Sequence, residues 1–163
     1  MKEVVIDCLV EAGDWPDEAE LRALAAAAVD AALAEARPSG PAAELSLVFT
    51  DDAHVARLNE TWRGRAAPTN VLSFPAVSGL PGEEAGPMLG DIVVALETVR
   101  REASLENKPF NSHLTHMIVH GFLHLLGYDH QTDTEGSRME ALERRILGRL
   151  AIPDPYEETL HCD

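Results

Sequence analysis

The feature that most restricts the fold of this chain is a run of three histidines around a glycine: His120, His124, Gly127 and His130. Histidines four residues apart lie one turn apart on the same face of a helix, where both imidazoles can bind one metal ion. If the helix continued, His130 would lie roughly 9 Å further along the axis, out of reach of that ion. Glycine adopts the left-handed conformation that ends helices, so Gly127 predicts a chain reversal that brings His130 back to the pair.

Three neutral nitrogen ligands indicate an open hydrolytic site that holds one zinc ion and leaves a fourth position for water. Such an ion lowers the pKa of its bound water to about 7 and can polarise a phosphoryl or carbonyl oxygen. The alternative is a closed structural zinc site, which requires a fourth protein ligand. Cys8, Cys162 and Asp129 are the candidates, but none has a spacing typical of structural zinc.

The histidine spacing matches the extended zincin pattern of metalloproteases with one decisive difference. Gly121 stands where those enzymes carry the glutamate that acts as general base. Peptide hydrolysis would therefore lack its proton carrier, which makes a metallopeptidase the least favoured function. Two further histidines, His113 and His116, precede the pair on the same helix, and we expect them to line the approach or pack rather than bind the ion.

Hydrophobic patterning predicts an α+β fold in a single domain over residues 1–152, followed by a loose C-terminal tail at 153–163. We expect one sheet of about four strands packed with about five helices, and the metal site at the end of a central helix. The predicted strands are 4–10, 45–50, 71–74 and 90–96. The predicted helices are 16–36, one from Asp51 or Asp52 to 62, one from the fourth strand to 107, then 109–127 and 134–150. Loops are expected at 63–69 and 76–87.

The charge and cysteine content restrict the function and the compartment. The net charge is −15, which argues against nonspecific nucleic-acid binding, because such binding depends on Lys and Arg. No apolar run is long enough for a membrane span, and the N-terminus lacks the features of a secretory signal. Two cysteines far apart in the chain favour a reducing compartment. We therefore expect a cytoplasmic protein with no membrane association.

A second motif lies where acidic residues are absent. From Thr61 to Gly82 the only charges are Arg63 and Arg65, and the motif continues into a short strand from Thr69 to Pro75. The planar guanidinium of Arg63 can hold a phosphate through two hydrogen bonds. A surface ion pair is the alternative role for Arg63.

Taken together, these residues resemble the YbeY family of bacterial endoribonucleases and rRNA maturation factors. The resemblance covers about residues 45 to 150 and is most specific in the block from His113 to His130. The other matching residues are Leu58, Asn59, Trp62, Arg63, Thr69 to Pro75, Gly90 to Ile92, Met139, Glu140 and Glu143. Two departures are Asn70, where the family more often has Asp, and Trp62 in place of Tyr or Phe.

The resemblance implies zinc on His120, His124 and His130, and a functional role for Arg63 near the metal. It also implies single-strand-specific RNA cleavage that matures the 3′ end of small-subunit rRNA and takes part in ribosome quality control. The expected partners are single-stranded RNA, rRNA or the small ribosomal subunit, and proteins on the ribosome. If a carboxylate at position 70 assists proton transfer in the family, Asn70 puts that role in doubt here.

The expected reaction is metal-assisted phosphodiester hydrolysis, in which Arg63 stabilises the charge that develops on phosphorus. Metal-bound hydroxide is the expected nucleophile, and attack by the RNA 2′-hydroxyl is the alternative. Lys108 and Arg65 are candidates to guide the RNA backbone. A different class of function is a non-enzymatic ribosome-assembly factor whose metal only holds the fold.

Overall fold

A computed structural model describes residues 3–40, 42–76 and 88–156. These residues form four strands and five helices in a single domain, which confirms the predicted α+β fold. The elements in chain order are β1 (Val4–Val10), α1 (Glu18–Ala36), β2 (Ala43–Thr50), α2 (Asp52–Arg63), β3 (Val71–Pro75), β4 (Met88–Ala95), α3 (Leu96–Leu105), α4 (Phe110–Leu125) and α5 (Asp133–Arg149).

The four strands form one mixed sheet in the order β1-β2-β4-β3. β1, β2 and β4 are parallel, and β3 pairs antiparallel with β4, with Ser73 opposite Ile92. β3 therefore lies at an edge of the sheet, and its outer side has no strand partner among the described residues. This edge strand carries the second sequence motif.

The two faces of the sheet are covered by different helices. Alternating residues of β2 and β4 point into the main core, which also contains the buried sides of α1, α4 and α5. The opposite face forms a smaller cluster with α2, built around Val55, Leu72 and Val93. α4 is buried along most of its length and contacts both β3 and α5, so its histidines lie on a helix packed between the sheet and α5.

Helix boundaries differ from the predicted ones by at most two residues, and the caps explain where α1 and α5 begin. α1 begins at Glu18 rather than Pro16 because the Asp17 side chain accepts a hydrogen bond from the Ala19 amide and caps the helix. α5 begins at Asp133 behind a capping box of Thr132 and Glu135.

Two predicted segments fall partly outside the described residues. Of the loop expected at 76–87, only Ala76 is described, and of the tail expected at 153–163, residues 157–163 are not. The described start of that tail is not isolated from the domain, since Tyr156 contacts Glu143 and His116. None of the helices in the described ranges is long and apolar enough to cross a membrane.

Candidate metal centre

The last turns of α4 bring two histidines of the motif together. The ring centroids of His120 and His124 lie 4.6 Å apart, and their Nε2 atoms are separated by 3.1 Å. Both rings are half-buried, because α4 is covered on most other sides. The predicted i, i+4 pairing on one helix face is therefore observed.

The chain then reverses at Gly127 and returns His130 to the pair. Gly127 has a φ of 101°, and its amide and that of Tyr128 donate to the last carbonyls of α4, those of His124 and Leu123. The ring centroid of His130 lies 5.2 Å from that of His124. One nitrogen from each of the three histidines falls within 4.8 Å of the others, so the three can share one ion.

Hydrogen bonds at Nδ1 fix which nitrogens are free. The Nδ1 atom of His120 lies 2.6 Å from Glu143 Oε2, and that of His124 lies 2.9 Å from the Tyr128 carbonyl oxygen. Each Nδ1 therefore carries the proton and donates it, which leaves an unprotonated Nε2 on both rings. Two lone pairs 3.1 Å apart repel unless a cation lies between them. The separation is close to the roughly 3.3 Å expected for two nitrogens on one tetrahedral zinc.

Burial keeps His124 neutral. Its pKa is lowered by desolvation and by the neighbouring His120, while the hydrogen bond to the Tyr128 carbonyl acts in the opposite direction. A neutral imidazole is the form that binds a metal. The environment of His124 therefore favours ligation at neutral pH.

Glu143 is the functional residue to which the sequence analysis gave no role. Its side chain is completely buried; Oε2 accepts from His120, and Oε1 accepts a short hydrogen bond from the Tyr156 hydroxyl. Oε1 also lies 3.6 Å from His116 Nε2. Burial alone raises the pKa of Glu143, but His116 and His120 outweigh it and hold the pKa at about 2. Glu143 is therefore an ionised carboxylate that orients a ligand.

A sequence signal for Glu143 did exist. α5 buries Met139, Leu142 and Ile146, and Glu143 lies within this apolar stripe. An acid in the buried stripe of an amphipathic helix requires a partner, because an unpaired charge is costly to bury. His113 and His116 are also buried, as predicted for packing residues, and His113 Nε2 lies 2.8 Å from Glu102 Oε1.

The histidine cluster opens on one side into a cavity of about 490 Å³. The cavity is lined by His120, His130, Thr132, Asp133, Gly136, Ser137, Met139, Glu140, Glu143 and Tyr156. Within the described ranges the three histidines form the metal-binding group without a fourth ligand. Of the candidates for a fourth ligand in a structural site, Cys8 is buried in the core on β1, Asp129 is not a member of the group, and Cys162 lies outside the described residues.

Gly121 faces the sheet. A Cβ atom there would lie 3.0 Å from Ile92 Cγ2, 3.1 Å from Ser73 Oγ and 3.4 Å from Val71 Cγ2. A glutamate side chain at this position would therefore crowd the sheet. Glu143 does not replace it as a free base, because its two oxygens are engaged by His120 and Tyr156. The arrangement therefore disfavours peptide hydrolysis by the zincin route.

Arg63 lies at the end of α2, against the edge strand. Its Nη2 donates to the Ser73 carbonyl over 3.3 Å, and its guanidinium carbon lies 5.8 Å from the Phe74 ring centroid. Ser73 in turn donates its hydroxyl to the Gly121 carbonyl over 3.2 Å. Ser73 therefore links Arg63 to Gly121, the residue that follows His120 on α4. The Arg63 side chain is exposed.

Two other residues from the sequence analysis have local partners. Lys108 forms an ion pair with Glu106 over 2.8 Å, which leaves its charge partly neutralised. Asn70 donates to Glu102 over 3.0 Å, and Glu102 also contacts His113. Asn70 therefore belongs to a hydrogen-bond network at the start of α4.

Comparisons with known proteins find relatives along nearly the whole chain. The family model described as Endoribonuclease YbeY matches residues 10–151. Curated relatives with that name include one from Rhizobium meliloti, 58% identical, and one from Sinorhizobium medicae, 56% identical, each over 96% of both chains. A relative from Bartonella henselae is 52% identical over 95% of this chain and 98% of its own.

The fold is similar to that of a solved structure as well. The solution structure of TM1509 from Thermotoga maritima aligns with a TM-score of 0.57 at 22% sequence identity. The alignment covers 98% of this chain and 99% of that one. This likeness supports the α+β architecture over the full length.

Proposed function

We propose, because the chain belongs to the endoribonuclease YbeY family, that it is a metal-dependent endoribonuclease that cleaves single-stranded RNA. The observation that carries this proposal is the three-histidine cluster with an open side: His120, His124 and His130 converge, and a cavity adjoins them. A site of this kind has room for a substrate oxygen beside the ion.

The proposed ion is one zinc, held by three neutral imidazole nitrogens. Zinc supplies an activated water or a polarised phosphoryl oxygen, which is the chemistry that phosphodiester hydrolysis needs. The protein contributes the fixed orientation of the ligands. Glu143 holds the proton of His120 on Nδ1, and the Tyr128 carbonyl does the same for His124.

Arg63 is the proposed catalytic arginine. Its guanidinium is exposed at the edge strand, beside the residue pair that links β3 to α4. A planar guanidinium can bind two phosphoryl oxygens and stabilise the negative charge that grows on them during attack. Either water or the 2′-hydroxyl can be the attacking group, and products with 2′,3′-cyclic phosphate ends would exclude water.

The proposed biological role is the one implied by the family: maturation of the small-subunit rRNA 3′ end and ribosome quality control in the cytoplasm. The partners would then be rRNA or the small ribosomal subunit, with ribosomal proteins as further contacts. A net charge of −15 favours such a setting, because the ribosome can position the RNA where the enzyme's own surface does not attract it.

One observation favours the second candidate, a non-enzymatic assembly factor with a structural metal. The cavity beside the histidines is lined by Asp133 and Glu140, whose charges repel phosphate. The absence of a fourth ligand from the histidine group among the described residues favours the enzyme.

Two variants test the enzyme directly. His124→Ala should lose zinc and RNA cleavage together, whereas Arg63→Ala should keep its fold and zinc but cleave about 10²–10³ times more slowly. Arg22→Ala is the matched control, because Arg22 is an exposed arginine on α1 paired with Glu18. Cleavage of a defined single-stranded rRNA fragment, with zinc content measured in each protein, gives the readout.

The outcomes separate the candidates. Full cleavage by folded, zinc-loaded Arg63→Ala contradicts only the catalytic role of Arg63 and leaves the enzyme proposal in place. A zinc-loaded wild type that cleaves no single-stranded RNA contradicts the enzyme and favours the assembly factor.

A further inference from the structure

The surface around the candidate metal centre is divided by charge. Consecutive residues of α4 face opposite neighbours: His120 contacts Glu143 on α5, and Gly121 contacts Ser73 on β3. The α5 side carries Asp133 and Glu140 at the cavity wall. The β3 side carries Arg63, and the exposed Arg65 follows two residues later. An RNA strand that reaches the ion is therefore repelled more strongly on the α5 side than on the β3 side.

An exposed aromatic side chain lies on the β3 side. Trp62 is 68% exposed at the last turn of α2, directly before Arg63. Its ring makes an edge-to-face contact with Phe74, with centroids 6.4 Å apart and planes at 60°. This contact leaves most of the indole exposed to solvent. The Arg63 guanidinium carbon lies 5.8 Å from the centroid of the same Phe74 ring, so the indole and the guanidinium share one contact residue on β3.

We infer that Trp62 is a base-stacking site for single-stranded RNA, with Arg63 holding an adjacent phosphate. This inference rests on the proposed endoribonuclease function and adds the means by which the substrate is held. Every base has a flat aromatic face, so stacking on an indole is tolerant of sequence but requires an unpaired base.

The arginines and acids around Trp62 nearly cancel, so electrostatic attraction alone gives RNA little affinity for this surface. Two acids adjoin Trp62 and Phe74 along the chain or across the sheet: Glu60 comes two residues before Trp62 on α2, and Asp91 faces Phe74 in the β3–β4 pair. Two arginines against two acids give little net attraction for a phosphate backbone. Stacking of one base contributes about 1–3 kcal/mol without any charge, which can offset the weak electrostatic attraction.

The test is the affinity of zinc-loaded protein for a short fluorescein-labelled single-stranded RNA with phosphorothioate linkages, measured by anisotropy. Trp62→Ala should raise Kd by about 5- to 150-fold, the equivalent of one lost stacking contact. Trp62→Phe should keep most of the affinity, because a phenyl ring still stacks. Leu105→Ala is the matched control, since Leu105 is also highly exposed, at 76%, but lies on α3.

Two further measurements test base stacking specifically. RNA binding should quench the tryptophan fluorescence of the wild type, and the quenching should be lost in Trp62→Leu, in which Trp15 is the remaining tryptophan. The preference for single-stranded over duplex RNA should also shrink in Trp62→Ala. If Trp62→Ala binds RNA as tightly as the wild type does, the stacking site is wrong, whether or not the protein cleaves RNA.

The proposed function fails on a different observation. Unmodified RNA that stays intact with the zinc-loaded wild type contradicts the enzyme, while a loss of affinity in Trp62→Ala would still support the RNA-binding site. Normal cleavage with unchanged affinity in Trp62→Ala overturns the stacking site and leaves the enzyme in place.

Discussion

The hydrogen-bond partners of the candidate ligands decide which tautomer each imidazole presents to an ion. His120 and His124 present Nε2 to a common point because an ionised carboxylate and a backbone carbonyl occupy their Nδ1 atoms. Glu143 is itself held by the Tyr156 hydroxyl, whose pKa is raised by burial and by the Glu143 charge. Tyr156 therefore stays protonated and remains a donor to Glu143. This chain of hydrogen bonds fixes both the tautomer and the ring orientation of His120.

Replacing Glu143 with glutamine should weaken zinc binding by about 10- to 100-fold while the fold is retained. The amide can still accept a hydrogen bond from His120, but it lacks the charge that increases the basicity of the ring. Competition with a chromophoric chelator measures the affinity. Glu140→Gln is the control, because Glu140 lies on the same helix and lines the same cavity but is paired with Arg144. Equal zinc affinities of the two variants would contradict the role given to Glu143.

At the scale of elements, the site depends on how closely α4 approaches the sheet. Gly121 permits the contact with β3 and β4, and the Ser73 hydroxyl bonds its carbonyl. In the sequence, Gly121 also stands where zincin metalloproteases carry the glutamate that acts as general base. The close packing of α4 on β3 and β4 gives a structural reason for a glycine at this position.

Gly121→Ala should destabilise the protein, although alanine is the better helix former. Overpacking costs about 1–3 kcal/mol, against a gain of about 1 kcal/mol from helix propensity. Gly148→Ala is the matched control on α5, where a Cβ atom would meet nothing within 4 Å, so only the gain applies. Urea unfolding of both variants measures the free-energy changes, and a stabilised Gly121→Ala would contradict the close-packing argument.

For the whole molecule, the core and the metal centre are separate. The main core extends from α1 through the sheet to α5, whereas His130 is exposed and the other two ligands are half-buried at one end of α4. The free energy of folding therefore comes mainly from apolar burial that no ion contributes to. An ion that binds only the folded state adds stability by mass action.

Removal of zinc with a chelator should lower Tm by about 5–10 °C relative to protein with free zinc a hundredfold above Kd. The circular dichroism spectrum at 25 °C should stay that of a folded α+β protein. A structural zinc predicts the opposite, namely loss of secondary structure on chelation, and that result would favour the assembly-factor alternative. Re-addition of zinc should restore both Tm and RNA cleavage.

Much of the fold and the convergence of the three candidate ligands could be predicted from the sequence because both depend on short-range geometry. The four strands and five helices follow from hydrophobic period and capping residues, with errors of a few residues at their ends. The i, i+4 histidine pair and the reversal at Gly127 are fixed by backbone conformation within one helix turn. The sequence by itself therefore determined which side chains form the candidate metal centre.

The surroundings of that centre were decided by tertiary structure alone. Glu143 is 23 residues from His120, and Ser73 is 48 residues from Gly121, so no local rule could pair them. Tyr156 comes from a segment predicted to be a loose tail. The position of Arg63 beside β3 likewise depends on packing α2 against an edge strand. Such contacts form only when distant elements close over a common core, because their geometry is set by packing rather than by spacing along the chain.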